Sequence, residues 1–194
     1  MNRLLLIALF IGLIGWISCG PETDSNPPTL AVASIYATEE VGENAYQVTT
    51  REIGSAIFKE ENGIVTLTIN ATNLDPNSRH AIHLHEGTCE SPGIHWNQGG
   101  QANFCRELNM GEAWVRPNAG DVGNIRTDIS GSGTFEISTE FWKLGSNDNF
   151  DIAGRVIVLH ADEEDFAQEC FDSHDHAHNN PKIACGTIQL IIND

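Results

Sequence analysis

The chain has 194 residues, 19% of them charged, with 27 acidic against 10 basic side chains and a formal net charge of -17. That balance excludes nucleic acid and anionic membrane surfaces as electrostatic partners, since both carry the same sign of charge. At 40% hydrophobic residues, the chain has enough apolar surface to build a real core.

The first elements are signals rather than fold. A positively charged start at Arg3 precedes the apolar run Leu4 to Ile17, and Ser18, Cys19 and Gly20 follow. Residues 1–18 read as a secretory leader, too short to be a comfortable permanent span. A cysteine behind such a run also resembles a bacterial lipoprotein signal, with Cys19 as the lipid-bearing first residue. A plain cleaved signal and an uncleaved anchor are the alternatives. The location expected is the periplasm or cell envelope of a bacterium, or the secreted pool, with the membrane met only through that N-terminal anchor. Residues 19–28 are polar and proline-rich and read as a tether, which leaves 29–194 as one domain.

Beyond the tether the apolar pattern has period two. In "IVTLTIN" from Ile64, Val65, Leu67 and Ile69 alternate with Thr66, Thr68 and Asn70, as in a strand with one buried face. Similar runs occupy 30–36, 55–60, 81–86, 133–138, 155–160 and 186–192. Turn signals stand at Glu61-Asn62-Gly63, Asp75-Pro76-Asn77 and the "SGSG" of 130–133. Many short strands and no long helical face predict an all-β fold, a sandwich or barrel. Two segments, 87–127 and 161–182, break the rhythm and are expected to be long functional loops.

The stretch "HAIHLHEGTC" at 80–89 sits on one of these strands. Residues two apart share a face of a strand, so His83 and His85 project together while His80, Ile82 and Leu84 point into the core. His160 ends another strand with Ile157 and Leu159 on the opposite parity, and His95 lies in the first long loop. Imidazoles without a neighbouring thiolate suit copper, zinc, iron or nickel better than calcium or magnesium, and copper most of all. The cysteines beyond Cys19 are Cys89, Cys105, Cys170 and Cys185. In an exported chain they read as two disulfides with three possible connectivities, because their spacings do not suit a zinc finger.

Taken in order, "HAIHLHEGTC", "PGIHWN", "AGDVGN", "RVIVLHADEEDF" and "PKIACGTI" resemble the copper/zinc superoxide dismutase family over 55–192. That family carries H-x-x-H-x-H-E, G-x-H-F/W-N, G-D-x-G-N, V-x-H and A-C-G in the same order. The resemblance implies a Greek-key, immunoglobulin-like barrel and copper ligands at His83, His85, His95 and His160. It also implies a Cys89–Cys185 disulfide, leaving Cys105 and Cys170 as the remaining pair. Its activity is the disproportionation of superoxide to dioxygen and hydrogen peroxide, with His95 as proton carrier, and its members are monomers or homodimers.

Departures from the family pattern carry information of their own. Its two further zinc histidines fall on Asn103 and Asn118, and of that site only Asp121 is kept. A neutral amide is a poor zinc ligand, so copper without a complete zinc site is expected. Asp121, or else Glu107 or Glu112, then accepts the second N–H of His95; otherwise Asp121 is simply a turn residue. Lys182 replaces the family's anion-positioning arginine, keeping the charge but losing the planar fork. Glu164 and Asp165 either partner the ligands or belong to the acidic run 162–165. His174, His176 and His178 form a tract able to capture metal, or a solvated loop. A non-catalytic copper-binding or copper-buffering lipoprotein is the alternative function.

Overall fold

A computed structural model of the chain describes residues 28–97, 118–166 and 180–191. The leader, Cys19, Asn103, Cys105, Glu107, Glu112, Cys170 and the histidines 174, 176 and 178 lie outside the described residues. The strands are β1 (Thr29–Gly42), β2 (Ala45–Glu61), β3 (Ile64–Ala71), β4 (Arg79–His85), β5 (Asp121–Arg126), β6 (Gly133–Thr139), β7 (Val156–His160), β8 (Lys182–Thr187) and β9 (Gln189–Leu190). They form one antiparallel sheet in the order β5-β4-β7-β8-β1-β2-β3-β6, with β9 beside β1. The end strands β5 and β6 pack against each other, so the sheet curls into a nearly closed barrel of the expected all-β class. Neighbours such as β4 beside β7 and β8 beside β1 require long crossovers, and these bring distant histidines to one surface.

Alternation builds the core as the sequence implies. Val65, Leu67 and Ile69 are fully buried among Phe58, Ile82, Ile125, Ile157 and Leu159. Outside, Thr66 and Ser138 share a hydrogen bond of 2.8 Å across the β3–β6 ladder. Asn62 and Gly63 take φ of 54° and 78°, the left-handed pair that closes the tight β2–β3 hairpin. Trp142 fills the barrel's interior and donates from Nε1 to the Ala119 carbonyl at 2.8 Å.

Three elements differ from the sequence expectation. Strand β5 lies inside the segment read as a loop, because its buried Val122 and Ile125 are out of period two. A bulge explains this: Ile82 pairs Gly123 and His83 pairs Asp121, leaving Val122 as the extra residue. The β1–β2 hairpin runs on to Gly42 and Ala45 through polar residues that carry no alternation signal, with register shifts along the way. The run at 186–192 is divided, since β8 starts earlier, at Lys182, and Ile188 separates it from β9.

Leu67→Ala is expected to lower unfolding free energy by about 3 kcal/mol by opening a cavity in the core. Thr66→Ala on the outer face should cost less than about 1 kcal/mol. Urea unfolding midpoints of the two variants check the assignment of faces.

Candidate metal centre

Strand β4 is buried on both faces, and the two faces do different work. His80, Ile82 and Leu84 turn inward; Ile82 and Leu84 join the main core. His80, fully buried, places Nδ1 3.0 Å from the carbonyl of His160 and so ties β4 to the end of β7. His83 and His85 project from the other face, opposite Val158 and Val156 of β7. His95 is brought alongside by a bridge between His85 and His95, with Trp96 donating to the Leu84 carbonyl at 2.7 Å. Leu84 in turn donates to Gly120 at 2.8 Å. A Cβ on Gly120 would stand 2.5 Å from the Trp96 carbonyl and 2.7 Å from that of Leu84, so this crossing requires glycine.

His83, His85, His95 and His160 each offer a ring nitrogen, and these nitrogens all lie within 4.8 Å of one another. Behind each ring stands an acceptor. His85 Nδ1 meets the Gly93 carbonyl at 3.1 Å, and His160 Nδ1 meets that of Asn180 at 2.9 Å. His95 Nδ1 meets Asp121 Oδ1 at 2.8 Å. These acceptors fix the N–H outward and leave an Nε2 lone pair facing the cluster, where Nε2 of His85 and of His95 are buried without a hydrogen-bond partner. His83 is reversed: Nε2 lies 2.9 Å from Glu164 Oε2, a short electrostatic contact lacking hydrogen-bond alignment, and Nδ1 lies 3.0 Å from His160 Nε2. Inward lone pairs this close repel each other unless a cation stands among them, so the donor set fits a metal ion.

The protonation tendencies agree. Burial, and then the neighbouring His95 and His160, hold His83 and His85 well below the ordinary imidazole range. Burial also lowers His160 to about 3, against a raising contribution from the Asn180 carbonyl. Neutral imidazole is the ligating form.

Around the rings the polar side chains are themselves braced. Asn180 Nδ2 lies 3.2 Å from Glu164 Oε1 and donates to the Asp162 carbonyl at 3.0 Å. Asn124 and Glu164 exchange two bonds, Nδ2 to the Glu164 carbonyl at 2.8 Å and Glu164 N to Oδ1 at 3.0 Å. Phe166 sets its ring edge-on to His83 at 5.6 Å between centroids. Asp165 is exposed. Asn180 acts on His160 through its backbone carbonyl, which no residue-type pattern can announce, whereas Asn97 closes the G-x-H-F/W-N block and Phe166 the block that contains His160.

The place of the second metal is arranged differently. Asp121 is fully buried; Oδ1 accepts from His95, and Oδ2 accepts from Asn118 N at 2.7 Å and Nδ2 at 3.0 Å. Asn97 Nδ2 donates to Asn118 Oδ1 at 3.0 Å. Lys182 is buried beside this centre, opposite His160 in the β7–β8 register. Cys89 and Cys185 form a disulfide with Cα atoms 5.6 Å apart, tying the loop after β4 to β8.

Residues 52–188 match the family model described as copper/zinc superoxide dismutase. A copper-zinc superoxide dismutase of Yarrowia lipolytica is 31% identical over 145 residues, covering 71% of this chain and 89% of that protein. One from Aquifex aeolicus is 31% identical over 143 residues, covering 71% and 80%. Among solved structures, a mutant of the SOD-like protein from Bacillus subtilis aligns with a TM-score of 0.60 at 17% identity, over 81% of this chain and 97% of that one. The clock protein EA4 aligns with a TM-score of 0.58 at 21% identity, over 86% and 97%. At these identities the structural likeness is one of fold alone.

The lowered histidines set a direction for acid stability. Unfolded imidazole protonates near 6.5, whereas folded His83, His85 and His160 resist protonation, the last down to about 3. Their contribution to metal-free stability is therefore present above about pH 6.5 and lost as pH falls toward the folded values. The melting temperature of the metal-free protein should fall between pH 7 and pH 5, and His160→Gln should flatten that slope in calorimetry.

Proposed function

The chain belongs to the copper/zinc superoxide dismutase family, and from that premise we propose that it disproportionates superoxide at a single copper ion held by His83, His85, His95 and His160. The observation that carries this reading is the convergence of their ring nitrogens within 4.8 Å, with the buried Nε2 atoms of His85 and His95 left without a hydrogen-bond partner. When bound, copper supplies a one-electron couple that oxidises one superoxide to dioxygen and reduces a second to hydrogen peroxide.

The protein's own groups do the rest. Gly93, Asn180 and Glu164 fix the rings of His85, His160 and His83 from behind, so that their ligand nitrogens need little reorganisation. His95 holds its Nδ1 proton against Asp121, leaving Nε2 as the atom that gives and takes a proton at the reacting centre. Lys182 supplies a local positive charge against the global -17, and nearby charge outweighs distant screened charge for a small anion.

Zinc does not fit the described residues. His95 Nδ1 and Asp121 Oδ1 meet directly, and Asn118 presents donors to Asp121 where a zinc site needs further acceptors. The hydrogen bond from His95 to Asp121 takes over the orienting task. Export to the periplasm, cell envelope or medium belongs to the same proposal, supported by the leader-like residues 4–17, Cys19 and the Cys89–Cys185 disulfide.

Elemental analysis of the protein loaded with both metals should find copper near one per chain and zinc far below it. His85→Ala should lose most bound copper and superoxide consumption. Copper bound at full stoichiometry without turnover would instead identify a copper-buffering protein. Lys182→Met should retain copper but react about tenfold more slowly at low ionic strength, with a weaker salt dependence.

A further inference from the structure

We propose that Tyr46 is a positioning residue for Lys182: its ring face, beside the turn of the β1–β2 hairpin, fixes where the ammonium stands beside the imidazole cluster. The inference rests on the reading of Lys182 as the charge that attracts the anion.

Lys182 opens β8 directly opposite His160, and its Nζ lies 5.4 Å from the centre of the Tyr46 ring, within cation–π range. Both residues are 6% exposed. A buried ammonium needs a partner, yet among the described ion pairs none involves Lys182. The aromatic face fills that need without neutralising the charge, as a carboxylate salt bridge would.

Three further contacts make the arrangement a built one. Thr38 Oγ1 donates to the Lys182 carbonyl at 2.7 Å, joining the hairpin's first arm to the lysine backbone. Tyr46 pairs with Glu40 across the hairpin. Tyr46 N donates to the Glu90 carbonyl at 2.9 Å, one residue from Cys89, whose disulfide partner Cys185 follows Lys182 on β8. The path from Lys182 along β8, through the disulfide and Glu90 to Tyr46, closes back on the lysine through the ring. Burial lowers the Lys182 ammonium, while Glu40 and Glu164 act to keep it charged. Its charge is felt at His83, His85 and His160, which places it within electrostatic reach of the centre.

The chemistry explains why a lysine here needs such a holder. An arginine fork is planar and pre-organised, whereas a lysine ammonium is a point charge on a flexible stem. On a strongly acidic protein, an unconfined stem would spread its charge over many positions and dilute the attraction at the one that matters. The extended hairpin, which leaves no alternation signal in the sequence, supplies the confinement.

The test uses Tyr46→Leu, Tyr46→Phe, Lys182→Met and the Tyr46→Leu/Lys182→Met pair. Tyr46 lies outside the main core cluster, and Tyr46→Met serves as a second ring-removing variant should the leucine form fold poorly. In copper-free protein, competitive acetylation read by mass spectrometry should label Lys182 about threefold faster, relative to Lys59, once the ring is removed. Tyr46→Phe, which keeps the ring and loses only the hydroxyl's contact with the Lys182 backbone, should label far more slowly than the ring-removing variants. In copper-loaded protein, Tyr46→Leu should slow superoxide decay about threefold at low ionic strength and weaken its salt dependence, Tyr46→Phe should not, and the double variant should match Lys182→Met alone. Unchanged Lys182 labelling in both ring-removing variants, or a rate loss that persists in the Lys182→Met background, overturns the proposal. A Lys182→Met protein with the parental rate and salt dependence overturns the reading of Lys182 itself, and this inference with it.

Discussion

Imidazole lone pairs crowded into a buried space repel one another, and everything around the centre answers that constraint. Three rings are held by an acceptor on the far side, the carbonyls of Gly93 and Asn180 and the carboxylate of Asp121, and His83 faces the Glu164 carboxylate across a short electrostatic contact. These acceptors decide which nitrogen keeps a proton and which is presented to a cation. Without them the rings could turn away or protonate, and the cluster would disperse. The barrel serves as the frame on which those acceptors are mounted, since they come from a loop, a strand end and two crossovers far apart in the chain.

Within that frame the disulfide and the hairpin have complementary tasks. The Cys89–Cys185 bond joins the loop after β4 to β8. The β1–β2 hairpin reaches the same place from the other side through Thr38 and Tyr46. Lys182 lies between them. The metal-binding face and the charge beside it are thus braced by links that span 96 residues through the disulfide and 144 through Thr38.

Much of this was legible in the residues, and the limits have physical causes. Parity on β4 separated His83 and His85 from His80, Ile82 and Leu84, because both faces of that strand are buried and the period of two is undisturbed there. Parity failed for β5, where a bulge at Val122 shifts the apolar positions and hides the strand inside an apparent loop. Asp121 could be nominated as the partner of His95 from its motif, whereas Asn180 and Tyr46 could not, and the G-x-H-F/W-N block contains Asn97 without announcing its partner Asn118. Asn180 acts through a backbone carbonyl, and Asn97 and Tyr46 act on residues brought near only by the fold. Cys105, Cys170 and the histidines at 174, 176 and 178 lie outside the described residues, so the remaining disulfide and the tract stay as sequence expectations.

The saturation of Asp121 bears on what a substitution at position 118 can do. Both carboxylate oxygens are engaged, one by His95 and the other by the backbone and side chain of Asn118, which Asn97 anchors in turn. The main-chain donor at 118 survives any exchange of that side chain, whereas the amide's grip on Oδ2 does not. Position 118 is therefore coupled to the orientation of His95 without touching it, and a substitution there is transmitted to the imidazole cluster through one carboxylate.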